Sequence, residues 1–540
     1  MRRLAGGQCR IAPSDQPADA SLPVGRGSGP DRLGAPGSRG LKRTVGERRY
    51  VLNRLVVPAR RLLPTQGFAR GVSVLVGGTA SAQLLTVLAA PLLTRLYTPE
   101  NFGMLAVFTA FLALFTVLAA GRYELAIPLP EDDQDAANLV LLGLFCVVVM
   151  ASLAALGVLL WSETIAVVLG IPELVPHLWL VPFGILFIGI YQVFNKWAVR
   201  VKRFDQVART RIWQALGTLG LQIGASPLGP VGLLGGQAAG QGVGATGLAV
   251  SALSRPEFRR CSVVGMVRQA RRFKNFPIYS TWTGLFNTGS LQLAPIVFVA
   301  LYGATVAGLY GLTLRILTMP VSLIGQAVGN VFLSHAPEAR RRNELPALVE
   351  SLHRKLAILG IPSLVCLMVI GPEFFATIFG EEWRKAGSYA QWMLPWLYIQ
   401  FQWSPLSMLA SVLELQRDAM VAQLLMLVAR FGVLFGLFAA GAEADTAILA
   451  FAAVSAVVYM LQQAWFFAKV DVSFVRSVRF ELVNLAMFTL LSLPLIMLYL
   501  RESLSLVWFI TGMVPLSAGW VWWRIRHEAV LPRQPSGLRS

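Results

Sequence analysis

The sequence predicts an all-α integral membrane protein, and composition and the length of its apolar runs carry that reading. Of 540 residues, 55% are hydrophobic and only 14% are charged, against about 25% charged residues in a soluble domain. Mean hydropathy is +0.60. Apolar runs of about twenty residues recur along the chain, each long enough to cross a hydrocarbon core of about 30 Å, and they number about fourteen. In lipid every backbone polar group must be satisfied internally, which leaves helices or closed barrels. The runs are continuous rather than alternating, so they read as helices.

Residues 1–60 precede these runs and are rich in Gly, Pro, Arg and Ser, with no apolar core of a signal peptide. They read as a disordered basic tail. The abrupt shift in composition makes a natural start near Val51 an expectation too. Residues 52–70 read as a short basic segment lying on the membrane surface. The first seven spans fall at 71–94, 102–121, 138–160, 174–195, 211–227, 230–253 and 277–301. The other seven fall at 305–333, 356–378, 387–413, 419–439, 446–468, 481–499 and 505–523. The fifth is the weakest, being short and holding Gln214, Gln222 and several glycines.

A net charge of +19 invites a nucleic-acid partner, but the basic residues lie between the spans. Alternate connections carry 23 Lys and Arg, from Arg122 through Arg479. The opposite connections carry four: Arg95, Arg384, Lys385 and Arg501. That asymmetry follows the positive-inside rule and predicts cytoplasmic termini, with no nucleic-acid role. Cys9, Cys146, Cys261 and Cys366 lie far apart, so neither a disulfide framework nor a zinc site is expected. The histidines His177, His335, His353 and His527 fall at span ends or in loops. No phosphate-binding loop and no nucleophile–base–acid spacing stands out. Neither catalysis nor a cofactor or metal is predicted.

Two short patterns suggest internal organisation. Tyr97 precedes Gly103 and Tyr302 precedes Gly308 at the same spacing, an echo offset by 205 residues. An offset of six helices implies parallel halves about an axis along the membrane normal, with a transport path between them; shared turn chemistry is the plainer account. Gly232, Gly236, Gly240 and Gly244 share one helix face, for close packing or for a hinge.

Arg315 and Arg430 fall at mid-span, where an arginine costs about 2.5–3.5 kcal/mol on insertion scales unless a wet cavity or a partner receives it. Gly308, Gly311, Arg315, Thr318, Ser322 and Gln326 share a face that Asn330 extends. Tyr279, Thr283, Asn287 and Ser290 share another. Gln423 lies two turns before Arg430. These stripes predict a cationic interior, and a guanidinium suits phosphate oxygens. An internal pair or a carbonyl-capped arginine holding helices together is the alternative. Arg122 and Glu124, before the acidic run Glu131-Asp132-Asp133, read either as an interfacial pair or as a gate.

Three stretches carry a family resemblance: Arg122-Tyr-Glu124-Leu-Ala-Ile-Pro-Leu-Pro130; Phe276-Pro-Ile-Tyr279 through Asn287, Ser290-Leu-Gln292 and Gly308 to Gly329; and Phe379-Gly-Glu-Glu-Trp383 with Ser404-Pro405. Together they resemble the bacterial polysaccharide-transport flippases of the multidrug/oligosaccharidyl-lipid/polysaccharide exporter superfamily, over about residues 70–525. Ala294-Pro295 and Asn330 are mild departures, and Arg430 lies outside the matched stretches. The resemblance implies two six-helix lobes, 61–255 and 256–470, then two extra helices in 471–525 and a cytoplasmic tail at 526–540. It implies alternating access and flipping of an oligosaccharide on undecaprenyl pyrophosphate toward the periplasm, for surface polysaccharides such as lipopolysaccharide or exopolysaccharide. Membrane lipids, a polymerase and chain-length machinery are the expected partners. Arg315, Arg430, Asn287, Ser290, Gln292 and Gln326 are the expected substrate contacts, with Arg122 and Glu124 as gate. The alternative, a cation-coupled multidrug exporter, predicts mid-membrane acidic residues, and the sequence offers none.

Overall fold

The computed structural model describes residues 67–528 apart from 170, 171 and 414, together with most side chains in that range. The predicted tail 1–60, the surface segment 52–70 before Gly67 and the end of the chain after Glu528 lie outside the described residues. Within them the secondary structure is helical. Sixteen helices are labelled here, leaving single turns unlabelled. The first seven are α1 Gly67–Leu88, α2 Ala90–Leu96, α3 Pro99–Ala119, α4 Asp133–Leu169, α5 Leu180–Arg200, α6 Phe204–Gly224 and α7 Pro230–Leu253. A short α8, Val263–Arg272, leads to α9 Thr281–Tyr302, α10 Ala304–Arg341, α11 Leu345–Phe379, α12 Arg384–Leu406 and α13 Gln416–Ala439. The last three are α14 Ala444–Lys469, α15 Phe474–Leu500 and α16 Leu506–Glu528.

Ten stretches among the described residues are long and apolar enough to cross a membrane. The predicted count of about fourteen is not reached on that measure. The shortfall has a physical pattern. Helices α6, α7 and α12 stand where spans were predicted but carry glutamines, glycines or indoles, and α9 contributes only the short apolar stretch Gln292–Tyr302. The predicted first span is broken: α1 ends at Leu88 and Pro91 opens α2. In the opposite sense, α10 runs on to Arg341, well past the predicted end near residue 333.

The weak fifth span is explained by its neighbour. The glycine stripe of α7 faces a polar stripe of α6 with the same period. A methyl group on Gly232 would meet the Ala225 carbonyl; on Gly236, Gln222; on Gly240, Thr218; on Gly244, Gln214 and Thr210. The close backbone then receives the amide N–H groups, with Gln222 donating to the Leu233 carbonyl at 3.1 Å and Gln214 to that of Gln241 at 3.3 Å. Of the two readings of the stripe, close packing is the one the contacts describe.

The two C-terminal helices α15 and α16 pack on α11 through a separate apolar cluster that includes Ile361, Ile370, Phe488, Phe509 and Trp520. Gly303, between α9 and α10, turns the chain at φ 89°, a conformation open to a residue without Cβ. That turn lets α10 start against α3. There the sequence echo becomes a contact. A methyl on Gly103 would strike the Ala304 carbonyl, and one on Gly308 would strike the Pro99 carbonyl. Thr305 donates to Glu100 at 2.8 Å, across the same 205-residue offset. Trp383 seals this end: it is fully buried, donates to the Thr94 carbonyl at 3.2 Å, and meets Phe102 edge-on at 4.9 Å.

Candidate functional site

The opposite end of α3 leads into the predicted gate residues. After α3 the chain makes two consecutive left-handed turns, at Gly121 (φ 58°) and Arg122 (φ 60°). A left-handed arginine is strained relative to the helical region. The turn throws the Arg122 guanidinium onto α9, where it occupies the place a Gly284 side chain would take. Before Gly284, residues Phe276–Ser280 form a π-helical turn that contains Pro277, a form that recurs at functional sites. Arg122 Nη1 stands 3.8 Å from Glu124 Oε1, so the two are brought together as a loose ion pair. Arg122 Nε and Glu124 Oε2 are buried without a hydrogen-bond partner. Burial pushes the Glu124 carboxyl above the usual carboxylate range; its own backbone hydrogen bond and the nearby Arg122 and Lys196 pull only partly the other way. Tyr123 donates to the Ala270 carbonyl at 3.4 Å.

Arg200, at the end of α5, was not singled out by the sequence reading. Its guanidinium donates to Asp133 Oδ1 at 2.8 and 3.0 Å and to the Pro130 carbonyl at 2.6 Å. It pins the proline-rich acidic loop that follows Glu124. Its place among the basic residues Lys196, Lys202 and Arg203 at the end of α5 was the only signal for it.

Arg315 lies between these ends, on α10. Three contacts define the direction of its helix face. Gly308 packs on Pro99 of α3, Gly311 lies against Ala106 of α3, and Ser322 donates to Gln83 of α1 at 3.4 Å. Arg315 sits on the stretch between Gly311 and Ser322. Its side chain is partly exposed. Among the described residues no hydrogen bond or ion pair engages it. Gln83, the one amide side chain of α1, is a second residue the sequence reading passed over. Gln292 is half-buried on α9. The side chains of Asn287, Ser290 and Gln326 lie outside the described residues, as do those of Tyr279, Thr283 and Asn330.

Arg430 has a different environment. It is 8% exposed, its Nε donates to Ser455 Oγ at 2.7 Å, and its guanidinium lies over the rings of Trp396 at 4.8 Å, Phe451 at 5.1 Å and Tyr459 at 5.8 Å. Arg430 therefore ties α13 to α12 and α14 through cation–π contacts. Nη2 is buried and unpaired.

His353 was expected at a span end or in a loop, far from the other histidines. It is buried inside α11, with Nε2 2.7 Å from Glu481 Oε1 of α15 and Nδ1 3.1 Å from the Gln463 amide of α14. Helices remote in sequence supply both partners.

Three comparisons bear on this arrangement. Residues 92–388 match the family described as polysaccharide biosynthesis protein. No curated protein sequence matches the chain. Among solved structures, the fold is similar to that of the lipid II flippase MurJ in an inward closed conformation, with a TM-score of 0.67 at 12% identity over 84% of this chain and 98% of that one. It is also similar to an inward-facing multidrug resistance MATE family transporter of the MOP superfamily, with a TM-score of 0.57 at 14% identity over 72% of this chain and 94% of that one. At these identities the likeness is one of fold.

Proposed function

The chain belongs to the polysaccharide biosynthesis protein family, and from that premise we propose that it flips a lipid-linked oligosaccharide between the leaflets of the bacterial inner membrane. The observation that carries the reading is Arg315: a guanidinium in a candidate span, partly exposed, with no partner among the described residues, on the face of α10 that meets α3 and α1. A charge in that position is expensive unless a polar path or an anionic ligand receives it. A diphosphate linkage, as in an undecaprenyl-pyrophosphate carrier, supplies such a ligand, and the planar guanidinium engages its oxygens in pairs. The lipid chain stays in the bilayer while the sugar and phosphates follow the polar face.

In this reading fourteen helices span the membrane, as two lobes of six, 61–255 and 256–470, and an extra pair in 471–525 that packs on the second lobe. Both termini lie in the cytoplasm. Asn287, Ser290, Gln292 and Gln326 extend the path from Arg315. Arg430 acts from inside its aromatic cage, positioning α12, α13 and α14 beside that path. Arg122 and Glu124 form the cytoplasmic gate, opening when the guanidinium leaves Gly284. A polymerase and chain-length machinery receive the product.

The test is surface-polymer export in cells carrying Arg315→Ala and Arg315→Lys at equal membrane levels. Loss with alanine and partial recovery with lysine are expected. Wild-type export by the alanine variant overturns the role given to Arg315.

A further inference from the structure

The short helix α8 crosses no bilayer at ten residues, yet it carries a basic edge and an apolar edge. Val263 is 74% exposed, Val264 71% and Val267 46%, while Arg268 and Arg272 follow on the polar side and Arg271 stands one turn beyond Val267. Its remaining edge is fastened to the start of α4. The Ser262 hydroxyl caps α8 by accepting from the Gly265 amide at 3.1 Å, and the Ser262 amide donates to Asn138 Oδ1 at 3.2 Å. The Asn138 side chain fills the space beside Gly265, Gln269 is buried, and Arg272 stands 3.8 Å from Asp135. Held this way, α8 leaves a groove of about 460 Å³ between itself and α4. Leu142, Phe145, Met266 and Val267 form its floor, with Arg271 and Lys274 at the rim.

The geometry points to a binding site for one anionic phospholipid of the surrounding leaflet, with an acyl chain along the apolar floor and its phosphate between Arg271 and Lys274. Two arguments favour this occupant. The groove falls in the range of about 300–1,000 Å³ usual for small-molecule sites. Its rim is cationic and its floor apolar, the arrangement of an interfacial helix that takes an anionic headgroup and an acyl chain together. Gly265 and the Ser262 cap fix the height of α8, so the groove is preformed. The site is independent of the transported cargo, and its occupancy is measurable without transport.

The experiment uses the full chain with Val267→Cys carrying bimane, the four native cysteines being serine, in phosphatidylcholine vesicles. Brominated phosphatidylglycerol and brominated phosphatidylcholine are compared as contact quenchers. Phosphatidylglycerol is expected to quench at several-fold lower mole fraction, and Arg271→Gln and Lys274→Gln are each expected to reduce that preference about fivefold. The same label at Leu490→Cys, exposed on α15, is expected to show no preference. Equal quenching by both lipids at position 267, or a preference that survives removal of both basic residues, overturns the proposal. A label at Val263→Cys, which also lines the groove and is exposed, repeats the measurement if the first variant fails to fold.

Discussion

Gly103 and Gly308 exchange equivalent contacts: each lies against a backbone carbonyl of the segment that carries the other, Ala304 for Gly103 and Pro99 for Gly308. The contact is isologous, as across a two-fold axis. Neither carbonyl has a flexible end that can give way. Gly103→Ala and Gly308→Ala are therefore each expected to destabilise the protein by about 1–3 kcal/mol, the usual cost of overpacking. Thermal unfolding of the purified variants in detergent checks this, and two closely similar losses are the expected result.

Gly284 gives the opposite outcome with the same substitution. There the obstructing group is the end of the Arg122 side chain. Gly284→Ala is expected to leave stability within about 1 kcal/mol of wild type, because the end of a flexible side chain gives way more cheaply than backbone. It is also expected to reproduce the transport phenotype of Arg122→Ala. A gate role fails if Gly284→Ala and Arg122→Ala each transport normally.

The two mid-span arginines separate by the quantity each controls. Removing Arg430 strips one guanidinium from three rings and a hydroxyl. Arg430→Ala is expected to cost on the order of 2–4 kcal/mol, given about 2 kcal/mol for a desolvated cation–π contact. Arg315→Ala is expected to leave the unfolding midpoint in place and reduce transport at least about tenfold, a loss of function without loss of fold. Parallel melting curves and export assays on the two variants decide the pair.

Glu124 makes stability depend on pH with a definite sign. Its carboxyl titrates above the ordinary value because burial disfavours the charged form. The folded protein then binds a proton that the unfolded chain has already released. Stability is lost as pH rises from the ordinary carboxyl value of 4.5 through the raised one, and the loss persists above it. Glu124→Gln is expected to flatten that segment of the curve and to raise the midpoint at neutral pH. Melting temperature followed from weakly acidic to neutral pH measures it; an unchanged slope contradicts the assignment.

What the sequence made legible was what repeats locally. Apolar runs located the helices, and a four-residue glycine period located the close face of α7. The 205-residue echo pointed to Gly103 and Gly308 before any contact was known. The rest depended on partners far along the chain. Arg315 and Arg430 look alike as single letters in apolar runs, and only the arrival of Trp396, Phe451, Tyr459 and Ser455 around one of them tells them apart. His353 looked like a loop residue because Gln463 and Glu481 lie on helices more than a hundred residues away. Gln214 and Gln222 weakened a span on paper because the carbonyls that receive their amide N–H groups belong to the next helix.

The interlock of α6 with α7 has a mechanical consequence. Gly236, Gly240 and Gly244 set against Thr210, Gln214, Thr218 and Gln222, with Gly232 against the Ala225 carbonyl, behave like dowels in a laminated beam. Sliding one helix past the other by a fraction of a turn drives side chains into backbone along the whole length. The pair resists shear and moves as a single ply. Any rearrangement the molecule undergoes is thereby channelled to other joints, and engineering meant to loosen or lock it belongs there.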